Sequence, residues 1–343
     1  HHPAYLISTS GSTGKPKAVI VSQGALSGLV EALRLRLPEL QPSSNLLQVA
    51  NFGFDVFLED LCRALLFGGR LVFCSDVERA SPDLLYRRLR DSRIQFFETT
   101  PALGVPLFDH MVEGNLGLPD LRAVVLGADA LPMDAYRRIR RLLPASVRVI
   151  NSYGVTECAI DSSWFEARED YDLAQRNAPI GSPLPHCRFY ILDEDRRLLP
   201  EGVTGELFIG GIGVGSGYAG DAELTAERFV PDPFVPGGMM YRTGDRARWL
   251  PDGNVEFMGR SDFQVKIRGR RIELGEIELR LGALDGIREC VVDVTEIGGG
   301  RNLVAFYTTD RDIAEAEIKE QLLLQLPEYM VPCRFTRLDS LPL

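Results

Sequence analysis

The sequence predicts an α/β protein with a large and a small lobe. The large lobe combines a region of mostly parallel strands covered by helices, over residues 1–177, with a small β-rich subdomain over 178–260. A small α+β lobe follows over 261–343. Two observations predict this division. Strand-like and helical segments alternate between residues 19 and 151, as in a parallel sheet, whereas after about residue 178 short strands follow one another through Gly, Pro and Asp-Gly turns.

Start and stop signals define the elements of the first region. Ser22 can cap a helix, and Ser81 is a second cap that is followed by proline at the first helical position. Another helix ends at Gly68-Gly69, because glycine adopts the left-handed conformation that often follows a helix. Helices are predicted over residues 23–37, 56–67 and 82–90, and onward from Ala102 and Pro132. The predicted buried strands cover residues 46–49, 71–74, 94–97, 123–126 and 147–150.

The later regions consist of shorter elements. Strands are predicted over residues 188–192, 205–209, 247–250 and 255–258, with turns such as Pro251-Asp252-Gly253 between them. The C-terminal lobe is predicted to contain a basic hairpin, a helix, a strand pair and a second helix. These elements fall at residues 264–272, from Glu276, around Val291 and Val304, and at 313–326.

The composition of the chain disfavours nucleic-acid and membrane partners. The 343 residues include 48 acidic and 38 basic side chains, and a net charge of −10 disfavours binding to nucleic-acid phosphates. No apolar run approaches the length of a membrane span, and the N-terminal residues have no signal pattern. The six scattered cysteines lack metal-site spacing, so reduced thiols are expected. We therefore expect a cytoplasmic protein with no nucleic-acid or membrane partner.

A Gly-rich loop near the N-terminus is the densest chemical signal. Its glycines allow tight turns, and its hydroxyl groups, backbone N–H groups and lysines can surround phosphate oxygens. It is not a Walker loop, because Thr9 stands where that motif has its first glycine and Pro16 where it has Ser or Thr. On composition alone a flexible surface turn explains the loop equally well. The loop residues are Thr9, Ser10, Gly11, Ser12, Thr13, Gly14, Lys15, Pro16 and Lys17.

Four further segments follow this loop in an order that is specific to one enzyme family. They are Phe54-Asp55, residues 151–157 (NSYGVTE), residues 241–245 (YRTGD) and residues 259–269 (GRSDFQVKIRG). All five segments resemble core motifs of the adenylation domains of nonribosomal peptide synthetases. These domains belong to the adenylate-forming (ANL) superfamily, which includes acyl-CoA synthetases and luciferases. The resemblance covers essentially the whole chain and implies the adenylate-forming enzyme fold.

The resemblance implies a ligase that uses ATP and Mg²⁺ to activate an amino acid as an aminoacyl-adenylate, releasing pyrophosphate. The aminoacyl group then passes to the phosphopantetheine thiol of a carrier protein, and an MbtH-like activator protein is a further candidate partner. The implied catalytic residues are Thr9, Ser10, Thr13, Lys15, Lys17 and Glu157. Glu157 is also the implied metal ligand, because Mg²⁺ prefers hard oxygen donors. Asp262 is the implied hinge about which the two lobes alternate.

The same resemblance implies a set of nucleotide contacts. Tyr153 corresponds to the aromatic residue that stacks on adenine, Asp245 to the carboxylate that accepts both ribose hydroxyls, and Arg260 to a residue near the same sugar. The complete implied set for ATP or AMP is Gly11, Ser12, Gly14, Asn151, Tyr153, Gly154, Thr156, Asp245 and Arg260.

The amino-acid pocket is also implied residue by residue. Asp55 corresponds to the aspartate that pairs with the substrate α-ammonium. The implied side-chain pocket consists of Val56, Glu59, Glu98, Val125, Gly127, Ser152, Ile160 and Asp161. Because buried like charges repel, three acids there predict a cationic substrate. The set resembles those of ornithine- and arginine-type domains. The extra carboxylate of Glu59 favours arginine, or a cyclic derivative such as capreomycidine, over ornithine and lysine, unless Glu59 points outward.

The ends of the chain and two other functions complete the expectations. The chain begins at the phosphate loop and stops a few residues before the position of the family's catalytic lysine, so we expect it to be part of a longer domain. An acid–CoA ligase of the same superfamily is one alternative function. A non-catalytic nucleotide-binding fragment is the other.

Overall fold

The computed structural model describes residues 2–10, 16–38, 42–167, 175–261, 264–267, 269–297, 300–311 and 313–341. The chain divides into two compact units. The first contains His1–Ile7 and Ala18–Ser261, and the second contains Ser8–Lys17 and Asp262–Leu343. The predicted hinge residue, Asp262, lies outside the described residues, so the hinge and the proposed domain boundaries stay predictions.

The strands are β1 (Pro3–Thr9), β2 (Lys17–Ser22), β3 (Asn45–Gln48), β4 (Arg70–Phe73), β5 (Phe96–Thr99), β6 (Ala123–Leu126), β7 (Arg148–Val155), β8 (Ile160–Phe165), β9 (Ser182–Pro183), β10 (Cys187–Leu192), β11 (Gly205–Gly211), β12 (Gly217–Tyr218), β13 (Phe229–Pro231), β14 (Met239–Trp249), β15 (Val255–Arg260), β16 (Gln264–Ile267), β17 (Arg270–Glu273), β18 (Ile287–Ile297), β19 (Gly300–Thr309) and β20 (Arg334–Arg337).

The α-helices are α1 (Gln23–Arg36), α2 (Asp55–Leu66), α3 (Asp76–Arg79), α4 (Pro82–Asp91), α5 (Pro101–Glu113), α6 (Met133–Leu142), α7 (Ala222–Arg228), α8 (Leu274–Gly282) and α9 (Glu315–Leu323). Ser22 caps α1 by accepting from the Ala25 backbone N–H at 3.1 Å, and Ser81 caps α4, in which proline is the first residue. None of the described helices is both long and apolar enough to cross a membrane.

A seven-stranded sheet organises the first part of the chain, in the order β4-β3-β5-β6-β7-β8-β9. The strands from β4 to β7 are parallel, as predicted, and the α/β fold class is confirmed. All residues of β5 and β6 are buried, as expected for parallel strands covered on both faces. Two details differ from expectation. β7 continues to Val155, so the motif at 151–155 lies in a strand, and the unpredicted strands β8 and β9 add an antiparallel edge.

The β-rich part of the first unit is antiparallel. β10, β11, β14 and β13 form one sheet, to which β15 adds by pairing with β14. The predicted strand over residues 247–250 is the end of the much longer β14, which therefore carries the 241–245 motif. β14 and β15 place Asp245 directly opposite Arg260. This register brings two of the predicted nucleotide-binding residues together.

The second unit has its own core. Its sheet has the order β18-β19-β20, with α8 and α9 contributing Ile277, Leu281, Ile318 and Leu322 to the buried cluster. The predicted basic hairpin is formed by β16 and β17, with Gln264 opposite Glu273. The strand pair around Val291 and Val304 is also present, as β18 and β19.

Candidate active site

One strand and the turn after it carry much of the candidate site. β7 leads into a single 3₁₀ turn over Thr156–Cys158. The chain then reverses at Ala159 and Ile160, whose φ angles are 58° and 72°. Gly154 meets the returning strand so closely that a Cβ would lie 1.6 Å from the Ile160 carbonyl oxygen. Only glycine fits there, and a β-branched residue in the left-handed region marks strained backbone next to the predicted pocket.

Tyr153, Asp245 and Arg260 form a buried group, here called the Asp245 cluster. The Tyr153 hydroxyl donates to Asp245 Oδ2, and Arg260 Nη1 donates to Oδ1 of the same carboxylate. Arg260 Nη2 also donates to the Thr243 carbonyl at 3.1 Å. Burial and then the charge of Asp245 raise the pKa of Tyr153, which keeps its proton for donation. The protein thus supplies partners to both oxygens of the carboxylate that the resemblance assigns to the ribose.

Glu157 lies in the turn that follows β7. It is fully buried, and the Tyr218 hydroxyl donates to its Oε1 at 2.9 Å. Tyr218 lies in turn 3.2 Å from the Tyr241 hydroxyl. Mg²⁺ is commonly held by one or two carboxylates together with substrate phosphates, and it requires hard oxygen ligands. A buried carboxylate fixed by a phenol fits this chemistry, so Glu157 is suited to hold the ion.

Asp55 begins α2 and is also buried. Its Oδ1 accepts from the Val56 backbone N–H at 3.0 Å, and the side chain of Thr156, the residue before Glu157, interacts with its carboxylate. Burial raises the pKa of Asp55 in spite of these interactions. A carboxylate in this state is stabilised by a cation, which is the role that the resemblance gives to the substrate α-ammonium.

Four carboxylates surround one arginine beyond Asp55. This Arg63 cluster consists of Glu59, Asp60, Arg63, Glu98 and Asp161, all of them buried. Arg63 Nη2 donates to Glu59 Oε1 and lies 3.7 Å from Asp161 Oδ2. Its Nη1 donates to Glu98 Oε2 and to Asp60 Oδ1, the latter at 3.3 Å. The Trp164 indole N–H adds a 2.6 Å bond to Asp161 Oδ2.

The Arg63 cluster is not electrically balanced. Four ionised carboxylates against one guanidinium would leave three uncompensated negative charges in a buried site. Burial, together with neighbouring carboxylates, raises the pKa of Glu59 and Asp60 well above the ordinary range and that of Asp161 to about 8. Burial alone would lower the pKa of Arg63, but the carboxylates outweigh it and raise that pKa. The cluster therefore holds protons that a bound cation would displace.

Arg63 corrects the interpretation of the pocket. The three predicted acids do come together, and Glu59 is fully buried, so its predicted outward alternative is wrong. However, the nearest cation to them belongs to the protein, and sequence reasoning did not find it. The signal was present, because Arg63 follows Glu59 by four residues and Asp60 by three within a predicted helix.

The remaining pocket residues lie around this cluster. Val56 is half-buried on α2, Val125 is buried in β6, Gly127 follows β6, Ser152 is buried in β7, and Ile160 and Asp161 begin β8. The Ser152 side chain interacts with the Asp161 carboxylate. A Cβ on Gly127 would lie 2.1 Å from Ser152 Oγ, so glycine there gives the hydroxyl its space.

The phosphate loop is only partly described. Gly11, Ser12, Thr13, Gly14 and Lys15 lie outside the described residues. Thr9 ends β1 and Lys17 begins β2. Within the second unit, the Ser10 hydroxyl donates to the Arg271 carbonyl at 3.0 Å, and Lys17 Nζ lies 3.7 Å from Glu273 Oε1. In the first unit, Asn151 is buried, and its Nδ2 donates to the Pro179 carbonyl at 2.7 Å.

Comparison with known proteins identifies the family. The model of the AMP-binding enzyme family matches residues 1–219. The chain belongs to this family. Among its relatives, tyrocidine synthase 3 of Brevibacillus parabrevis is 45% identical over 341 residues, which are 99% of this chain and 5% of that protein. The chain thus spans a small part of the length of this curated relative. ATP and Mg²⁺ are the cofactors of the AMP-binding enzymes, in agreement with the expectation from sequence.

Solved structures agree with this assignment. The crystal structure of IdnL1 is 30% identical with a TM-score of 0.86, over 99% of this chain and 68% of IdnL1. NpsA-ThdA of Klebsiella oxytoca, an artificially fused adenylation–PCP di-domain of a nonribosomal peptide synthetase, is 30% identical with a TM-score of 0.83. That match covers 98% of this chain and 66% of the di-domain chain. The resemblance to adenylation domains of nonribosomal peptide synthetases is therefore confirmed in sequence and in fold.

Proposed function

We propose that the protein activates an amino acid with ATP and passes it to the thiol of a carrier protein. The observation that carries the proposal is the path of residues 153–157. Tyr153 contacts Asp245 on the nucleotide side, Glu157 is suited to Mg²⁺, and Thr156 contacts Asp55 on the amine side. Five consecutive residues thus link the three functions that aminoacyl-adenylate formation requires.

The proposed reaction has two steps. A carboxylate oxygen of the amino acid attacks the α-phosphorus of ATP, and the bond to the departing pyrophosphate breaks. The carrier-protein thiol then loses its proton and its sulfur attacks the acyl carbon, with AMP leaving. Asp245 would hold the ribose, Asp55 the α-ammonium, and the hydroxyl and lysine groups between Thr9 and Lys17 the leaving phosphates. An MbtH-like activator stays a candidate partner. Asp262 stays the proposed hinge about which the lobes would rotate between the first step and the second.

We also propose that the substrate side chain is cationic. Arg63 compensates one of the four negative charges around it, and the raised pKa values of Glu59, Asp60 and Asp161 reflect the remainder. A second observation supports a ligand there. The Oε2 atom of the fully buried Glu59 has no hydrogen-bond partner among the residues that the structure describes. An incoming cation would satisfy this oxygen, and its charge would favour the ionised carboxylates.

The test is amino-acid-dependent ATP–pyrophosphate exchange by the intact protein, measured across proteinogenic and common nonproteinogenic amino acids. Cationic side chains should give the highest kcat/KM. Glu59→Gln should lower the preference for cationic over neutral side chains about ten- to a hundredfold, since a charged hydrogen bond contributes about 1.5–3 kcal/mol. Glu31→Gln, at an exposed helical glutamate that also pairs with an arginine, should leave the preference unchanged.

Each other outcome identifies a different function. If neutral amino acids were preferred and Glu59→Gln left that preference unchanged, adenylation would stand and the cationic substrate would be wrong. Acyl-CoA formation from aliphatic or aryl acids without amino-acid-dependent exchange would identify an acid–CoA ligase. Calorimetric binding of ATP without exchange for any acid would identify a non-catalytic nucleotide-binding protein.

A further inference from the structure

We propose that Arg63 is a specificity-determining residue that makes the pocket select a primary ω-ammonium over a guanidinium. The inference rests on the proposed function, in that it takes the substrate side chain to be cationic. It reverses the order expected from sequence, where the third carboxylate of Glu59 favoured arginine. The reason is that the structure shows which carboxylate oxygens are already occupied.

Arg63 occupies the paired acceptors that a substrate guanidinium would need. Its two terminal nitrogens donate to Glu59 Oε1 and Glu98 Oε2, and Asp60 and Asp161 complete the ring of acceptors. The guanidinium lies 4.8 Å from the centre of the Phe96 ring, and the side chain has no exposed surface. A guanidinium binds best where two oxygens face its fork, and here the fork of Arg63 already takes one oxygen from Glu59 and one from Glu98.

The acceptors that remain suit an ammonium. Glu59 Oε2 and Asp60 Oδ2 are buried, each on a different carboxylate, and neither has a hydrogen-bond partner in the described part of the chain. An ammonium is a compact charge with three donors that rotate freely, so one oxygen of a shared carboxylate and nearby neutral acceptors are sufficient to bind it. An ammonium also brings a second positive charge to a site where four carboxylates share the single cation of Arg63.

The spacing of Asp55, Glu59 and Arg63 along α2 favours a substrate with a short side chain. Asp55, Glu59 and Arg63 follow one another at intervals of four residues, so their Cβ atoms lie on one face, about 6 Å apart at each step. The two nitrogens of ornithine are five single bonds apart, which span about 6 Å when extended. A diamino acid of this length would reach from Asp55 to Glu59. The longer side chain of arginine would carry its guanidinium toward the space that Arg63 fills.

The experiment compares kcat/KM in ATP–pyrophosphate exchange for ornithine, lysine, arginine and leucine, using the intact protein. The wild type should prefer ornithine over arginine by at least tenfold. In Arg63→Met, which keeps a long helix-forming side chain but removes the fork, this ratio should fall at least tenfold, because arginine can bring its own guanidinium to Glu59 and Glu98. Arg34→Met, at an exposed arginine that pairs with Glu31 on α1, should leave the ratio unchanged.

A second variant separates specificity from folding. Arg63→Met leaves four buried carboxylates without their cation, so its stability can fall. The double variant Asp60→Asn/Arg63→Met removes one of those charges, at a residue whose bond in the cluster is made to Arg63. The double variant should fold and show the same loss of preference for ornithine over arginine. Because the readout is a ratio of two substrates on one protein, a uniform loss of active enzyme does not change it.

The outcomes distinguish the inference from the proposed function. If cationic amino acids were preferred but the ornithine-to-arginine ratio were the same in the wild type and the folded double variant, Arg63 would have only a structural role. A wild type that preferred arginine would overturn the inference directly. If leucine were preferred by the wild type, the cationic function itself would be wrong, whatever the variants did.

Discussion

The two buried polar clusters of the first unit satisfy their charges in different ways. In the Asp245 cluster, one carboxylate has both oxygens bound, to a phenol and to a guanidinium. In the Arg63 cluster, four carboxylates share one guanidinium, and a buried oxygen of Glu59 has no partner within the described residues. The first cluster is balanced without a ligand. The second has more carboxylates than cations, so it holds protons that a cationic ligand can displace.

This difference has a physical consequence for ligand binding. A neutral ligand such as a ribose can exchange hydrogen bonds with the Asp245 cluster without changing its net charge. A cation entering the Arg63 cluster changes the protonation of its neighbours, because it favours the ionised form of carboxylates whose pKa burial has raised. Nucleotide affinity should therefore depend on one carboxylate, whereas amino-acid selection should depend on the charge balance of a group.

The largest expected effect comes from removing the carboxylate of the balanced cluster. Asp245→Ala should lower kcat/KM for ATP by about a hundredfold or more, because hydrogen bonds to a charged group contribute about 1.5–3 kcal/mol each and two are lost. Exchange assays with saturating ornithine and with saturating lysine should show the same loss. A loss confined to one amino acid would contradict the assignment of Asp245 to the nucleotide.

The matched control for this variant is Asp232→Asn. Asp232 is another buried aspartate of the first unit, and its Oδ2 accepts from the Tyr190 hydroxyl at 3.0 Å. Its substitution removes a carboxylate from a similar tyrosine–aspartate pair outside the candidate site. Nucleotide kinetics should be unchanged in Asp232→Asn even if its melting temperature falls.

The excess charge of the Arg63 cluster should make stability depend on pH. The pKa values of Glu59, Asp60 and Asp161 are raised in the folded protein, that of Asp161 to about 8, so between the ordinary and the raised values the folded state binds more protons than the unfolded state. The stabilisation that these extra protons give the folded state is complete at low pH. It is lost as the pH rises through the raised pKa values, which is about 8 for Asp161. The free energy of unfolding of the unliganded protein should therefore fall from pH 6 to pH 9 by an amount on the order of a few kcal/mol, and its melting temperature should fall with it.

Glu59→Gln should flatten this dependence, because the amide cannot ionise. Glu31→Gln removes an exposed glutamate and should follow the wild type across the same range. Scanning calorimetry of the three proteins at four pH values gives the comparison. Parallel curves for the wild type and Glu59→Gln would mean that the cluster is balanced after all.

Some parts of the fold and of the candidate site could be predicted from the sequence, and others could not. The parallel strands were predictable because each is a short apolar run between helix signals, as in β6. The strand β8 was missed, because its chain reversal depends on positive φ angles at Ala159 and Ile160, residue types that rarely adopt them. Motif resemblance located Asp245 and Glu157. It could not reveal Arg63, whose importance depends on carboxylates brought together by three separate segments of the chain.

A smaller effect is expected where the pocket is tightly packed. Gly127→Ala would place a methyl group 2.1 Å from Ser152 Oγ, forcing away the hydroxyl that interacts with Asp161. Overpacking of this kind costs about 1–3 kcal/mol, so KM for the amino acid should rise about tenfold while KM for ATP stays unchanged. Gly117→Ala, at an exposed glycine with nothing within 4 Å of the added methyl, should change neither constant. An equal rise in both constants would show that the two clusters are not separable.

The smallest expected effect tests Tyr218, the residue that hydrogen-bonds to Glu157. Tyr218→Phe removes the 2.9 Å hydrogen bond to Glu157 Oε1 but leaves the carboxylate in place. One hydrogen bond contributes about 1 kcal/mol, so kcat should fall only about fivefold, and the Mg²⁺ concentration for half-maximal exchange should rise. Tyr190→Phe, the matched loss of a tyrosine–carboxylate bond outside the site, should leave the Mg²⁺ dependence unchanged. A normal Mg²⁺ dependence in Tyr218→Phe would mean that the phenol does not orient Glu157 for the metal ion.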